Sequence, residues 1–318
     1  MLLHLQRRLL AVLPIALGVS MICFLLVYLA PGDPLQTLLP PDADAETVAK
    51  LKQLYGLDRP LPLQYLAWLW QVMGGDLGQS IATGRPVLSE IRRSLGNTVL
   101  LAAVAVLIAF PLAMLLGTIA GYRSGGWMDR GVTGTAILGV SLPNYWLGIV
   151  LVILFSVELG WLPASGMGPD GSGTFNPLHW EQLRHIILPV VTLSMIPVGI
   201  IARTARASIS EVMAQDFVTT LRANGLPERR VLRHAVKNAL PSVLAVMGLQ
   251  FGALMGGSIL VETVFAWPGT GFLLSKAILT RDIPVLQGTI LVLAMIFVAT
   301  NLAVDLFQSS LDPRIKRG

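Results

Sequence analysis

Cysteine and charge are both scarce in this sequence. Its 318 residues include a single cysteine, Cys23, which excludes an intrachain disulfide and argues against redox chemistry. Only 13% of the residues are charged, whereas soluble domains have about a quarter. Because 54% are hydrophobic and the mean hydropathy is +0.69, the composition indicates a protein of the lipid bilayer. In such a protein, the net charge of +5 is better explained by membrane orientation than by nucleic-acid binding.

Several motifs of enzymes and carriers are also missing. The sequence has no Gly-Lys dipeptide, which excludes the phosphate-binding loop G-x-x-x-x-G-K-[ST]. None of the four histidines lies in an H-E-x-x-H motif or within an apolar run, which argues against an intramembrane metalloprotease or serine protease. No carboxylate is evident near the middle of a run, as a proton-coupled carrier would require. We therefore expect no catalytic residue and no metal site in this chain.

What the sequence does have is a set of six apolar runs. Each is close to or longer than the about 20 residues that a helix needs to cross the hydrocarbon core of a bilayer. The fourth run is the shortest and contains Pro189 and Pro197, which predict a bend. The first run is too long for a signal peptide and lacks a cleavage site, so we expect it to be retained. The predicted spans are Leu9–Ala30, Thr98–Gly121, Val132–Val157, Ile186–Ala202, Ser242–Val264 and Pro284–Phe307.

The distribution of lysine and arginine predicts the orientation of these spans. The segments that would lie on one side are 1–8, 122–131, 203–240 and 308–318. They contain 14 lysines and arginines, whereas the two short loops of the other side, 158–185 and 265–285, contain three. Both termini are therefore expected in the cytoplasm. The long segment 31–97 would lie outside, where helical patterns at Ala45–Tyr55 and Leu63–Val72 predict a folded cap.

Two features of the later spans concern packing and polarity. Gly248, Gly252 and Gly256 follow each other at intervals of four residues, a pattern that allows close helix approach. Gln250 and Asn301 are polar residues at depths from which they could line a central path or hydrogen-bond to a neighbouring helix. The sequence leaves both interpretations of these two residues open.

Between the fourth and fifth spans lies a polar, basic segment, Asp216–Pro241. Asp216 is a suitable N-cap for a short helix, and Asn224–Gly225 is a suitable C-terminal stop. Pro227 and Glu228 then predict the start of a second helix. The apolar residues of the first helix that share one face are Phe217, Val218 and Leu221.

The second helix of this segment is predicted to be amphipathic. Its apolar stripe consists of Leu232, Ala235, Val236, Ala239 and Leu240, and its basic stripe of Arg230, Arg233, His234 and Lys237. The two stripes are about 200° apart around the helix. The basic residues could contact anionic lipid, or the first helix could dock another protein. Periodicity alone leaves both interpretations open.

A resemblance favours docking. The segment Asp216–Pro241 resembles the cytoplasmic coupling loop, or EAA loop, of ABC importer permeases. Gly225 matches the fixed glycine of that loop. Thr219-Thr220-Leu221 occupy the Glu-Ala-Ala positions, so the residues that give the loop its name are absent, and Pro241 comes one position early.

The resemblance extends over essentially the full chain. Eight short motifs occur in the order found in B-type permeases of the dipeptide/oligopeptide/nickel importer family. They are PGDP (31–34), YGLDRPLPLQY (55–65), GDLGQS (75–80), TLRANGL (220–226), RHAVKNAL (233–240), FAWPGTGFLL (265–274), RDIPVLQG (281–288) and DPRI (312–315). In addition, ELGWLPASG (158–166) is similar to the glutathione and dipeptide branches.

This resemblance implies an all-α polytopic membrane protein with six transmembrane helices, the type I ABC importer permease fold and cytoplasmic termini. The implied domains are an N-terminal helix (1–30), an extracytoplasmic cap (31–97), a core (98–307) with its coupling loop (211–240), and a tail (308–318). The residues implied to couple to the ATPase are Asp216, Phe217, Thr220, Leu221, Arg222, Ala223, Asn224 and Gly225.

The resemblance also implies partners and a location. The chain would pair with a homologous C-type permease, two ATPase subunits that bind ATP and Mg, and an extracytoplasmic solute-binding protein, all at the bacterial inner membrane. The implied cargo is di- or oligopeptides, with glutathione, nickel chelates or another small solute as alternatives. A standalone channel or secondary carrier is a more distant alternative.

Overall fold

The computed structural model describes residues 14–25, 58–169, 175–176 and 178–311, and its elements there are helices. The described part has no strand beyond an isolated antiparallel bridge between Gln79 and Pro86. The predicted all-α fold is therefore confirmed. In chain order the helices are α1 (Pro14–Leu25), α2 (Leu61–Met73), α3 (Val87–Tyr122), α4 (Trp127–Ser141), α5 (Asn144–Val152), α6 (Trp180–Met213), α7 (Asp216–Ala223), α8 (Glu228–Gly257), α9 (Ile259–Val264), α10 (Thr270–Thr280) and α11 (Ile283–Leu311).

Four of these helices, α3, α6, α8 and α11, are long and apolar enough to cross a membrane. They contain all or most of the second, fourth, fifth and sixth predicted spans. Of the first predicted span, only the helical part Pro14–Leu25 is described. The total of six spans and the side of the termini therefore stay predictions. The motifs PGDP and DPRI and the predicted helix Ala45–Tyr55 lie outside the described residues.

The third predicted span is not one helix. The chain bends by 100° between α4 and the helical segment Asn144–Glu158, which starts with α5 and ends in a π-helical turn, Ile153–Glu158. Leu142 and Pro143 at the break are both extended, with ψ of 130° and 132°. Proline lacks an N–H and disfavours helical geometry in the residue before it, so Pro143 separates the two helices. The predicted span Val132–Val157 is therefore not a continuous helix but two helical segments joined by a bend at Pro143.

Proline has a smaller effect in α6 and α8. Helix α6 continues through Pro189 and Pro197 for 34 residues, and α8 continues through Pro241 for 30 residues. The second helix of the polar segment is therefore not separate from the fifth span, as the sequence suggested, but is its first part. That predicted span reaches its predicted end at Val264, but it is interrupted at Ser258, between α8 and α9.

The described residues form two compact units. One contains the described parts of Met1–Asn97 and Gly269–Val298, and the other those of Thr98–Pro268 and Ala299–Gly318. Helices α3 and α11 contribute residues to both units.

A buried carboxylate organises the first unit. Ser80 Oγ donates to Asp282 Oδ2 over 2.5 Å, and the backbone amides of Ile81 and Ala82 donate to the same carboxylate over 3.2 and 3.1 Å. Burying a charged group is costly unless it is hydrogen-bonded, and these donors supply the bonds. Ser80 lies in the GDLGQS motif and Asp282 in the RDIPVLQG motif, so one contact gives both motifs a structural role. The apolar core beside it consists of Val87, Ile91, Ala277 and Val285.

Helix α2 packs on α1 within the same unit. The Ser20 and Tyr65 hydroxyl groups are 2.8 Å apart, and the Phe24 ring lies 5.5 Å from that of Tyr65 and 5.9 Å from that of Trp68. Helix α2 confirms the helix predicted at Leu63–Val72, and the chain turns after it at Gly75, whose φ is +82°.

The second unit is held together by close helix contacts at glycines. A Cβ on Gly117 of α3 would come within 2.6 Å of the Ala202 carbonyl oxygen on α6, and one on Gly199 of α6 within 2.7 Å of the Ala136 oxygen on α4. Its largest buried side chains include Phe265 and Trp267, which belong to the FAWPGTGFLL motif. The Phe265 carbonyl accepts from the Gly166 amide over 2.8 Å, which connects this motif to ELGWLPASG.

Candidate functional site

The candidate site is helix α7, the eight-residue helix at the start of the polar segment. Gln215 precedes it in extended conformation and makes no side-chain capping bond, so Asp216 is the first helical residue. The prediction of Asp216 as N-cap was wrong by one position, because Gln215 is the residue that leaves the helix. A carboxylate in the first turn still interacts favourably with the positive end of the helix dipole.

The end of α7 has the geometry that the sequence predicted. The Gly225 amide donates to the Arg222 oxygen over 2.9 Å, and the Leu226 amide donates to the Leu221 oxygen over 3.2 Å. These are the two bonds of a Schellman motif, whose residue after the C-cap is left-handed. Gly225 has a φ of +75°, so the predicted Asn224–Gly225 stop is confirmed.

Two apolar residues hold α7 in place. Val218 is completely buried, and Phe217 packs against an apolar cluster formed by the end of α6 and the first part of α8. That cluster consists of Ile209, Val212, Ala235 and Ala239. A helix of eight residues is too short to be stable alone, so these contacts position α7.

The rest of α7 and its C-terminal turn faces outward. Of the eight residues implied to couple to an ATPase, Phe217 and Leu221 are half-buried and the other six are exposed. The exposed ones are Asp216, Thr220, Arg222, Ala223, Asn224 and Gly225. The structure therefore brings all eight together in one short element, attached on one side and free on the other. Their contact with an ATPase stays a prediction.

A polar cluster attaches the C-terminal half of α7 to two long helices. Arg222 Nε donates to Glu228 Oε1 over 2.8 Å and Arg222 Nη2 to Oε2 over 3.3 Å, and the Tyr122 hydroxyl donates to the same Oε2 over 3.0 Å. The Glu228 carboxylate raises the pKa of the Arg222 guanidinium. Tyr122 is the last residue of α3 and Glu228 the first of α8. Sequence reasoning assigned Glu228 only to a helix start and did not identify Tyr122.

A second ion pair lies at the start of α4. Arg206 Nε and Nη2 donate to the two carboxylate oxygens of Asp129 over 2.8 and 2.7 Å, and the Gly125 amide donates to Oδ2 over 2.8 Å. Asp129 is buried, so this pair connects α4 to α6 where an unpaired carboxylate would be costly. The sequence placed both residues near the cytoplasmic side, but they are 77 positions apart and nothing in the sequence indicated that they pair.

The first part of α8 confirms the predicted amphipathic pattern. Ala235 and Ala239 are buried in the cluster that receives Phe217, and Val236 packs against it. The four residues of the basic stripe are all exposed: Arg230, Arg233, His234 and Lys237.

The two residues proposed for a substrate path are not on one surface. Asn301 of α11 lies against α8 at Gly252, where an added Cβ would come within 2.9 Å of Asn301 Oδ1. Gln250 precedes Gly252 by two residues, which places it about 200° away around the helix. The contact at Gly252 is with a side chain, so the predicted close helix approach along Gly248, Gly252 and Gly256 stays a prediction. The role of Gln250 and Asn301 in a substrate path stays a prediction.

Comparison with known protein families gives two matches. Residues 113–317 match the family described as binding-protein-dependent transport system inner membrane component, and residues 1–102 match the N-terminal region described for the membrane components of such systems.

Individual proteins are similar over the full chain. A putative peptide transport system permease protein of Brucella abortus is 43% identical over 98% of both chains. A dipeptide transport system permease protein of Alkalihalophilus pseudofirmus is 40% identical over 99% of this chain and 100% of its own. A glutathione transport system permease protein of Salmonella typhi is 38% identical over 99% of both.

Among solved structures, an inward-facing MetNI methionine ABC transporter chain superposes with a TM-score of 0.52. The match covers 71% of this chain and 96% of that one at 17% sequence identity. At this identity, the likeness shows a shared fold.

Proposed function

Because the chain belongs to the inner-membrane components of binding-protein-dependent transport systems, and is thus a permease subunit of an ABC importer, we propose that it carries peptides. It forms one half of the translocation path, and a homologous C-type permease forms the other half. Two ATPase subunits bind ATP and Mg, and an extracytoplasmic solute-binding protein delivers the cargo. The nearly full-length similarity to proteins named peptide and dipeptide permeases, at 43% and 40% identity, supports peptides as the cargo class.

The observation that carries the ATPase partnership is the position of α7. Its Phe217 packs against residues of α6 and α8, its Val218 is buried, and its exposed residues form a surface for another protein. The chain lacks a phosphate-binding loop of its own, so the energy has to enter from a separate subunit. ATP-driven closure of the two ATPase subunits displaces α7, and the long helices attached to it reorient the path.

Reconstitution tests this function. The complete complex, in liposomes with its binding protein, is supplied with ATP and with labelled alanyl-alanine. We expect accumulation that stops when the ATPase subunits are omitted. Equal accumulation without ATPase subunits would contradict the proposal and favour a standalone channel or carrier.

Glutathione is the second candidate cargo, because a glutathione permease of Salmonella typhi is 38% identical to this chain. Competition distinguishes the two. If the complex carries alanyl-alanine but not glutathione, an excess of unlabelled glutathione leaves the uptake of labelled alanyl-alanine unchanged. If that uptake falls and labelled glutathione itself accumulates, glutathione is carried as well.

A further inference from the structure

The Glu228 carboxylate, in the polar segment Asp216–Pro241, connects three helices. Glu228 accepts two hydrogen bonds from Arg222 of α7 and one from the Tyr122 hydroxyl at the end of α3, while its own backbone starts α8. We call Tyr122, Arg222 and Glu228 the Glu228 cluster.

The apolar contacts and the Glu228 cluster hold opposite ends of α7. Phe217, which packs against the cluster of α6 and α8, and the buried Val218 lie in its first turn, whereas Arg222 lies in its last turn. Between Arg222 and Glu228 the chain turns at Gly225, whose backbone is left-handed. A Cβ added to Gly225 would meet nothing within 4 Å. The described side-chain bonds that join the end of α7 to α8 across this turn are those of Arg222 to Glu228.

Because the Arg222–Glu228 pair is exposed, it is better suited to transmit movement of α7 than to stabilise the fold. Glu228 and Arg222 are both exposed, and exposed ion pairs contribute little to folding stability. The pair is nevertheless bidentate, a geometry that fixes direction as well as distance. Its loss is therefore expected to affect how α7 moves its neighbours more than whether the chain folds.

We propose that Glu228 is a positioning residue that couples the end of α7 to α3 and α8, so that a displacement of α7 moves both long helices together. This inference rests on the proposed function, in which an ATPase displaces α7. Without the Glu228 carboxylate, α7 stays attached through its first turn, at Phe217 and Val218, but can rotate about that contact. Some displacements of α7 then fail to move α3 and α8, and the ATP hydrolysed in those cycles transports no cargo.

Glu228→Gln tests the proposal in the complete reconstituted complex. The probe is labelled alanyl-alanine, or labelled glutathione if the wild type accumulates that instead. The measured quantity is phosphate released per probe molecule accumulated, together with the amount of ATPase subunit bound and the melting temperature of the complex. We expect the ratio to rise about 2- to 30-fold, the range for residues that modulate coupling, with assembly and melting temperature unchanged.

Two further variants sharpen this result. Tyr122→Phe removes a single hydroxyl and is expected to raise the ratio about twofold, at the lower end of that range. Combined with Glu228→Gln it should raise the ratio no further, because both substitutions act on the same carboxylate. Glu211→Gln, the same chemical change at an exposed position near the end of α6, should leave the ratio unchanged.

The outcomes are distinguishable. If the wild type accumulates neither probe in an ATP-dependent manner, the proposed function and this inference both fail. If the wild type transports but Glu228→Gln keeps the wild-type ratio, the inference alone is overturned. The inference is also overturned if the Glu228→Gln complex loses its ATPase subunits. It is overturned as well if the effects of Glu228→Gln and Tyr122→Phe on the phosphate-to-probe ratio are additive.

Discussion

At the scale of single residues, Gly225 has the clearest physical requirement. Its φ of +75° is a conformation that costs a residue with a Cβ about 1–2 kcal/mol, and a β-branched residue more. An added Cβ would meet nothing within 4 Å, so this cost comes from the backbone and not from crowding within the chain.

We therefore predict a graded response at Gly225. Gly225→Val should abolish coupled transport, because the Schellman turn cannot form without strain, while membrane insertion continues. Gly225→Asn should retain much more activity, since asparagine tolerates the left-handed region. Uptake and ATPase activity of the reconstituted complex measure both. If the two variants are equally inactive, direct contact of Gly225 with the ATPase is the better explanation, and full uptake by Gly225→Val would contradict a role for the turn.

Single residues also mark where prediction from the sequence succeeded and where it stopped. The stop at Gly225 and the inward faces of Ala235 and Ala239 follow from local rules, since three to five neighbouring residues decide them. The pairing of Arg206 with Asp129 and of Tyr122 with Glu228 joins residues 77 and 106 positions apart. Charge and spacing do not identify such partners, because the sequence offers each of these residues many other polar and charged residues as partners.

At the scale of helices, glycines decide how closely α3 and α6 approach. A Cβ on Gly117 would come within 2.6 Å of both the Ala202 oxygen and the Ala205 Cβ, and neither backbone nor alanine can move aside as a long side chain would. Gly134, in the middle of α4, has nothing within 4 Å of its added Cβ.

The matched prediction compares these two glycines. Gly117→Val should destabilise the protein by about 1–3 kcal/mol through overpacking, and lower its melting temperature in detergent. Gly134→Ala should leave the melting temperature unchanged or raise it, because alanine is favoured over glycine in a helix by about 1 kcal/mol. An unchanged melting temperature for Gly117→Val would mean that α3 and α6 separate without cost.

Proline shows why helix boundaries were harder to predict than helix existence. The same residue type breaks the chain at Pro143 but is accommodated within helices at Pro189, Pro197 and Pro241. The local rule is identical at all four positions. What differs is whether packing of the surrounding helix offsets the lost hydrogen bond, and a sequence pattern does not contain that information.

At the scale of the whole molecule, the orientation in the membrane stays a prediction that labelling can test. In a Cys23→Ser background, Arg230→Cys should be protected from an impermeant thiol reagent added outside intact cells, and Asp58→Cys should react. Both positions are exposed, so accessibility of the side chain does not limit either reaction. The opposite pattern would reverse the predicted topology and remove α7 from the reach of a cytoplasmic ATPase.

The hydrogen bond between Ser80 and Asp282 has a consequence for the timing of synthesis. Asp282 follows Ser80 by 202 residues, which a ribosome adds in about 10–40 s at 5–20 residues per second. During that interval the nascent loop around Ser80 has no carboxylate to bind, while most of the second unit's sequence is already being made. The bond between Ser80 and Asp282 can therefore form only after residues 98–268 of the second unit have been synthesised, and a chain released before residue 282 would leave this loop permanently without its acceptor.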